Sequence, residues 1–371
     1  MVRLECANPV SADFRTAVSG AIGTFLDRQA PILGDLHPAT APLLERARSI
    51  TDGGKRLRPA FCAWAYAAVA DTLDLPDPVT QAAASLDVLH TSALVHDDVM
   101  DASDFRRGVP AAHRQFESDH RDAGWRGDPE QFGRAGAILL GDLLLVWSEE
   151  MFRRSGLTTD QLERGRPHLE AMRTEVTAGQ YLDVLAQARD PYTISRTAEG
   201  RDQLADLVRT VVTWKSASYT IRRPLLLGAA LGGADAAQLG SLTSFGQPLG
   251  RAFQYRDDVL GIYGDESLTG KDSGEDLRVG KLTLLAAEAF GRATEDEASE
   301  LAALFGNPDL DEAGIDRARE IIDSSGARDA VEEEIRREFD LALAALTAAE
   351  LSGAGRAGLT ALARAAVRRA F

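Results

Sequence analysis

Cysteines and aromatic residues are scarce in this chain of 371 residues, which has only Cys6 and Cys62 and 6% aromatic residues. Small secreted proteins without a sufficient core are stabilised by several disulfides, and two cysteines far apart in a long chain exclude that class. A low cysteine content instead favours a reducing compartment. We therefore expect a cytoplasmic protein.

Positive charge is also scarce, because 41 lysines and arginines stand against 57 aspartates and glutamates and leave a formal charge of -16. A field of that sign repels phosphate backbones and anionic lipid, so no nucleic-acid partner is expected. Any anionic ligand must be bound by local clusters of lysine and arginine or by a metal ion.

Long apolar runs are missing as well. The N-terminus, MVRLECANPVSADF, lacks the apolar core of a secretory signal. The run AILLGDLLLVW is interrupted by Asp142, and PLLLGAALGGA is too short to cross a bilayer. The sequence predicts a soluble protein without a membrane span.

Apolar residues recur three and four positions apart along most of the chain, which predicts an all-α fold. Ser11 is suited to cap the first helix. Two polar stretches, Glu117–Gly133 and Gly264–Lys281, are predicted to be surface loops within a single domain of residues 1–371. Further helices are predicted near 58–72, 80–101, 133–153, 160–187, 203–232 and 236–263, and from about 281 to the end.

Two acidic motifs lie in predicted helices. In HDDVMDASDFRRG, Asp97 and Asp101 are one helical turn apart, and Asp98 points about 100° away from them. In QYRDDVLGIYGD, Asp257 and Asp258 follow Gln254. Mg²⁺ binds to one or two carboxylates and fills its other positions with water and substrate phosphate, so both motifs suit a diphosphate enzyme. A solvated helix face is the alternative explanation of each acidic run.

Cations accompany the acids. GGKRLRP offers Lys55, Arg56 and Arg58, while Arg106 and Arg107 follow the first motif. Arginine binds phosphate oxygens bidentately, and lysine acts as a point charge. Further candidates are His90, seven residues before Asp97, and the lysines Lys215, Lys271 and Lys281.

The sequence resembles the trans-isoprenyl diphosphate synthases, or polyprenyl synthetases, and among them the bacterial geranylgeranyl diphosphate synthases. Seven blocks occur in the expected order: GGKRLRP, HDDVMDASDFRRG, GDLLL, GQYLD, WKSASYT, FQYRDDVLG and GKDSGEDLRVGK. The resemblance implies an all-α bundle around a deep central cavity, the isoprenoid synthase fold, commonly as a homodimer. It also implies the condensation of isopentenyl diphosphate with an allylic diphosphate of C5 to C15.

The resemblance assigns roles to individual residues. Mg²⁺, three ions in all, would be bound by Asp97, Asp98, Asp101 and Asp257, with Asp258 supporting the second site. The allylic diphosphate would contact Arg106, Lys215, Gln254 and Lys271, with Lys281 closing over it. Isopentenyl diphosphate would be held by Lys55, Arg58, His90 and Arg107, and Gln180 and Ser216 would complete the substrate contacts.

One position departs from the family pattern. Many relatives have a third aspartate in the second motif, where this chain has Gly261 and the next acid is Asp265. Eight helical residues separate Asp265 from Asp257, about 12 Å, which is too far to complete the shell of the same ion. The role of Asp265 is left open.

Product length depends on the residues before the first motif. In this family the side chains four and five residues before the first aspartate often limit chain growth, and here they are Ala93 and Ser92. Because both are small, we predict geranylgeranyl diphosphate, C20, with Leu89 as a deeper stop. Farnesyl diphosphate or a product of C25 or longer is the alternative.

Two other functions share parts of this pattern. A class I terpene cyclase has the aspartates and the cavity but needs no second diphosphate site, which the cations of GGKRLRP and the pair Arg106 and Arg107 indicate. A non-catalytic subunit that regulates a partner synthase is the second rival, and Gly261 is the feature in its favour.

Overall fold

Helices make up nearly all the regular structure in the computed structural model, which describes residues 1–106, 108–264 and 274–368. The α-helices are α1 Ala12–Leu36, α2 Ala41–Thr51, α3 Leu57–Ala70, α4 Asp77–Met100, α5 Ala112–Asp122, α6 Pro129–Arg153, α7 Thr159–Gln187, α8 Pro191–Ser195, α9 Ala198–Val211, α10 Arg223–Gly232, α11 Ala236–Tyr263, α12 Glu275–Arg278, α13 Leu284–Arg292, α14 Glu295–Leu304, α15 Glu312–Ser324, α16 Ala327–Ala348 and α17 Gly353–Arg368. A 3₁₀ turn at Pro38–Thr40 and a π-helix at Val212–Arg222 complete the helical part. The predicted all-α class is confirmed.

Strand structure is confined to two short antiparallel pairs among the described residues. In the first pair, β1 Val2–Arg3 lies beside β2 Asp74–Leu75. In the second, β3 Phe105–Arg106 lies beside β4 Val109–Pro110. The second pair turns the chain back directly after α4.

The chain divides into two compact units. The first consists of Met1–Arg166, Leu227–Asp235 and Leu351–Leu362. The second consists of the described residues within Pro167–Leu226, Ala236–Glu350 and Ala363–Phe371. The single domain of residues 1–371 and its central cavity stay predictions.

The first unit forms around α4, which packs against α3 and α6. Its first helix starts as predicted, because the Ser11 side chain accepts a hydrogen bond from the Phe14 N–H at 3.3 Å. Three residues of α1, Phe14, Val18 and Phe25, are four and seven positions apart, so they lie on one face of the helix. All three are buried in the core.

A π-helix interrupts the region predicted as one helix at 203–232. Its wider turn is visible at the end, where the Arg223 N–H donates to the carbonyl of Ser218, five residues back. Neighbouring glycines let this element approach closely. A Cβ on Gly179 would lie 2.4 Å from the Lys215 nitrogen, and one on Gly250 would lie 2.6 Å from the Ala217 Cα. The periodicity did not reveal the change because an apolar pattern reports which residues are buried and not the spacing of the backbone hydrogen bonds.

The predicted loop at Glu117–Gly133 is wrong over much of its length. Helix α5 extends to Asp122, and α6 begins at Pro129, where the Asp128 side chain accepts from the Glu130 N–H at 3.0 Å. Helix α5 packs on α6 through a face that includes His113 and His120, both buried. Because that face is largely polar, an apolar count did not detect it.

The second predicted loop, Gly264–Lys281, contains the short helix α12 in its described part.

No described helix combines the length and the apolarity that crossing a membrane requires. Cys6 and Cys62 are both free thiols, and burial raises the pKa of Cys62 to about 12.

Candidate active site

The first acidic motif ends α4. Asp97 and Asp98 lie in its last turn, while Asp101 follows the helix and donates its N–H to the Asp97 carbonyl at 2.8 Å. The sequence therefore placed Asp101 one residue too far into the helix, although the turn that aligns it with Asp97 is present. Asp98 is 3% exposed, whereas the Asp97 side chain is 23% exposed.

A tight helix end turns the chain back over this motif. Ala102 has a φ of 52°, in the left-handed region that glycine normally occupies after a helix. The Ser103 N–H donates to the Asp98 carbonyl at 3.0 Å, as in a Schellman helix end. This turn brings Arg106, in β3, beside the aspartates.

Arg106 binds the buried carboxylate of the motif. Its Nε donates to Asp98 Oδ1 at 2.8 Å and its Nη2 contacts the same oxygen, while Nη2 lies 3.7 Å from Asp97 Oδ2. The guanidinium thus offsets the negative charge of the two adjacent carboxylates. Arg106 therefore has an acidic partner in this structure as well as its predicted diphosphate.

The residues upstream on α4 divide between two faces. Ala93 and His90, four and seven residues before Asp97, are partly exposed on the face of that aspartate. Ser92 is buried and donates to the Gly141 carbonyl of α6 at 2.7 Å. Leu89 is buried too. Of the predicted chain-length residues, Ala93 is the one that shares the exposed face of Asp97.

The three cations of the GGKRLRP block have different surroundings: one is buried in the fold, and two are candidates for diphosphate binding. Arg56 is buried and donates to Asp87 at 2.9 Å, to Ser19 at 3.0 Å and to the Thr51 carbonyl at 3.0 Å. Its guanidinium is thus committed inside the first unit, which the sequence did not reveal. Lys55 is exposed and Arg58 is partly exposed, so these two stay candidates for diphosphate.

The second acidic motif lies near the end of α11, in the second unit. Asp258 is 3% exposed and accepts from Gln254 Nε2 at 2.9 Å and from Lys281 Nζ at 3.3 Å. Burial raises the pKa of Asp258 to about 6, against the attraction of Lys281. Asp257 is partly exposed. Asp257 is therefore the more accessible of the two carboxylates.

Lys281 lies between two acids. Besides Asp258, its Nζ is 3.6 Å from Asp276 Oδ2. Burial alone would lower the pKa of Lys281, but Asp276, Asp258 and Asp257 hold it well above its usual value. The ammonium therefore stays charged, as a diphosphate ligand requires.

Lys215 projects from the π-helix to a buried acid. Its Nζ donates to Asp183 Oδ2 at 2.6 Å, and Asp183 is 4% exposed. Asp183 is the last residue of the GQYLD block, and its role was not predicted from the sequence. Gln180 of the same block and Ser216 of the π-helix are partly exposed.

Glu175 anchors the far end of the π-helix and was also missed. It accepts from Ser218 Oγ at 2.6 Å, from Arg222 Nη2 at 3.0 Å and from Arg223 Nε at 2.8 Å. No motif marks such a residue, because its three partners lie more than forty positions later in the sequence. One carboxylate thus fixes the junction between the π-helix and α10.

Replacing this anchor tests its contribution. We expect Glu175→Gln to lower the free energy of unfolding by about 3 kcal/mol, because two partly buried guanidinium groups lose their shared anion. Urea denaturation measures the change. Glu163→Gln, at an exposed position of α7, is the matched control and should change stability by less than about 0.5 kcal/mol. Equal stabilities of the two variants would contradict the anchoring role.

The stability of the protein is expected to depend on pH through His168. Burial, with Arg223 and Arg222, lowers the pKa of His168 below 6.5. Because the unfolded chain binds the proton more readily, the stability from this group is present above pH 6.5 and is lost as the pH falls through the folded pKa. We expect stability to fall between about pH 7 and about pH 5, and less steeply in His168→Gln. Identical slopes in urea denaturation at several pH values would refute this.

The two motifs offer few carboxylates to a metal ion. Among the described residues, no three side chains of histidine, cysteine, aspartate or glutamate come together as a complete ion cage. Mg²⁺ with a diphosphate needs only one or two carboxylates from the protein. The partly exposed Asp97 and Asp257 fit that requirement. The predicted residues Arg107, Lys271 and Asp265 lie outside the described residues.

Known proteins resemble this chain along most of its length. The Polyprenyl synthetase family model matches residues 41–322. A geranylgeranyl diphosphate synthase of Methanosarcina mazei is 33% identical over 266 residues, 71% of this chain and 72% of that protein. A geranylfarnesyl diphosphate synthase of Aeropyrum pernix is 32% identical over 290 residues, 77% of this chain and 81% of that protein.

A solved structure is similar as well. The crystal structure of a geranylgeranyl pyrophosphate synthase from Corynebacterium glutamicum, complexed with isoprenyl diphosphate and magnesium, is 36% identical to this chain. The match has a TM-score of 0.89 and covers 99% of this chain and 100% of the other. The resemblance, the isoprenoid synthase fold and the prenyltransferase class predicted from the sequence are confirmed. The chain belongs to the polyprenyl synthetase family.

Proposed function

We propose that the protein is a geranylgeranyl diphosphate synthase, which condenses isopentenyl diphosphate head to tail with allylic diphosphates of C5 to C15. One observation carries the proposal. Each aspartate motif pairs a buried carboxylate bound by a cation with a partly exposed one: Asp98 on Arg106 beside Asp97, and Asp258 on Lys281 beside Asp257. Such pairs suit ions that are shared with a diphosphate.

Both aspartate motifs have the same proposed role, which is to bind Mg²⁺. Asp97, with Asp101 one turn later, and Asp257 would hold Mg²⁺, which when bound neutralises the charge that develops on the departing diphosphate. We propose three ions, with Asp98 and Asp258 supporting them. Magnesium in the Corynebacterium glutamicum structure supports this choice of ion.

Polar and cationic residues bind the two substrates. Arg106, Lys215, Gln254 and Lys281 orient the allylic diphosphate and stabilise it as the C–O bond breaks. Lys55, Arg58 and His90 hold isopentenyl diphosphate so that its double bond attacks the allylic carbon at short range. Loss of a proton to the released diphosphate then gives the allylic product. No side-chain nucleophile is required.

The product length rests on the first motif. Ala93 is small and lies on the exposed face of α4 that carries Asp97, so it leaves room for a growing chain. Relatives that make geranylgeranyl and geranylfarnesyl diphosphate support a product of C20 and make C25 the second candidate.

The test is direct. The purified protein is incubated with isopentenyl diphosphate, Mg²⁺ and each of the C5, C10 and C15 primers, and product length is measured. We expect C20 from all three primers. A primer consumed without isopentenyl diphosphate would favour a cyclase. Protein that is inactive alone but alters a partner synthase's product would favour a regulatory subunit.

We also propose a homodimer formed through α6. Five large apolar residues of this helix are exposed in two rows of seven-residue spacing on either side of the exposed Asp142: Phe132, Leu139 and Val146 in one row, and Ile138 and Leu145 in the other. Clustered exposed apolar residues mark a contact surface, and most oligomers are symmetric dimers. We expect twice the chain mass by sedimentation and a single mass for Leu139→Glu/Val146→Glu. A monomeric wild type would contradict the dimer.

A further inference from the structure

The space beside Gly261 is filled by a residue that follows it by fifteen positions. A Cβ on Gly261 would lie 2.2 Å from Asp276 Oδ2 and 2.8 Å from its Cγ. Real Cβ atoms do not approach a carboxylate so closely, so a side chain at position 261 and Asp276 in its present place exclude each other. The Asp276 carboxylate therefore occupies the space in which the side chain of a third aspartate, at position 261, would begin.

Backbone hydrogen bonds hold Asp276 there. The Gly274 N–H donates to the Gly261 carbonyl at 3.3 Å, and the Lys281 N–H donates to the Asp276 carbonyl at 2.9 Å. Asp276 is 9% exposed. Its position thus follows from the path of the chain around α12.

The Asp276 carboxylate has a charged neighbour that it shares with the motif. Lys281 Nζ lies 3.6 Å from Asp276 Oδ2 and 3.3 Å from Asp258 Oδ1. Both acids are buried, so the ammonium lies between two fixed carboxylates that restrict where it points.

We infer that Asp276 replaces the third aspartate of the second motif and acts as a positioning residue, which holds Lys281 between itself and Asp258 toward the diphosphate. Gly261 is then required as the only residue that leaves room for the Asp276 carboxylate. The inference rests on the proposed function, in which Lys281 contacts the diphosphate. It also explains how a motif with a glycine in its last position retains three acids.

An exchange of the two residues tests this. We expect Asp276→Asn and Gly261→Asp each to lower kcat/KM for the allylic diphosphate about 10- to 100-fold, as loss of a residue that orients a ligand does. The double variant Gly261→Asp/Asp276→Gly moves the carboxylate to position 261 and should recover to within about fivefold of wild type. Glu275→Gln, which neutralises the adjacent acid of α12, is the matched control and should stay within about twofold.

A second measurement separates this inference from the proposed function. Calorimetry with inorganic pyrophosphate and Mg²⁺ reports diphosphate binding without prenyl transfer. We expect both single variants to bind about 10-fold more weakly and the double variant to recover, with thermal unfolding as the check on folding. Recovered binding in a protein without synthase activity would retain the inference and refute the proposed function. An active wild type whose double variant is no better than the worse single variant in either assay would overturn the inference.

Discussion

We expect Asp97→Asn to lower kcat for prenyl transfer by at least about 10³-fold, equal to about 4 kcal/mol of transition-state stabilisation. Asp97 is the partly exposed carboxylate of the first motif, and its partner Asp98 is already bound by Arg106. The neutral amide keeps the shape of the side chain but no longer attracts Mg²⁺ strongly. The departing diphosphate then loses the counter-charge it needs.

Steady-state kinetics at saturating Mg²⁺ measure this effect. The matched control is Asp104→Asn, which removes an exposed carboxylate seven residues later that contacts Arg114. It should retain at least about half of the wild-type kcat, because surface ion pairs contribute little. If Asp97→Asn kept more than about a tenth of the activity, the first motif would not be the metal site.

We expect Ala93→Phe to shorten the product from the proposed C20 to C15 or less. Ala93 is one turn before Asp97 on the partly exposed face of α4, so a large ring there occupies the space into which the allylic tail extends. A series of Ala93→Val, Ala93→Leu and Ala93→Phe should shorten the product step by step, as measured by chromatography of the hydrolysed prenols.

Ala93 is a better position for this test than Ser92. Ser92→Phe would break the hydrogen bond to the Gly141 carbonyl and push against α6, so a loss of stability would obscure its effect on product length. Ala123→Phe, at an exposed position after α5, controls for added apolar volume and should leave the product at C20. Unchanged product length in Ala93→Phe would place the limit of chain growth elsewhere.

Residues close in the sequence were the most predictable part of the site. The acids of both motifs were identified because their spacing within about one helical turn brings them to one helix end. The roles of Arg106 and Lys281 came from the family resemblance. The polar helix α5 and the π-helix were not identified, since an apolar count sees neither a polar buried face nor a change in hydrogen-bond spacing.

Pairings between residues that are distant in the chain could not be predicted from a single sequence. Arg56 looked like a phosphate ligand beside Lys55, yet it is buried against Asp87 in the next long helix. Asp183 and Glu175 carried no motif signal, although they bind Lys215 and the arginines of the π-helix junction. In each of these pairs the packing partner lies more than thirty positions away in the sequence.

The amino-acid pattern was enough for the helical class, the family and the two carboxylate motifs, because periodicity and short spacings are local properties of the chain. Three-dimensional packing was needed to show which aspartate of each motif is buried on a cation and which is exposed. It was also needed to find Asp276 in the space beside Gly261, since that contact arises only when the chain folds back after α11. Burial and long-range charge pairing set the electrostatics of the site, and neither is a property of neighbouring residues.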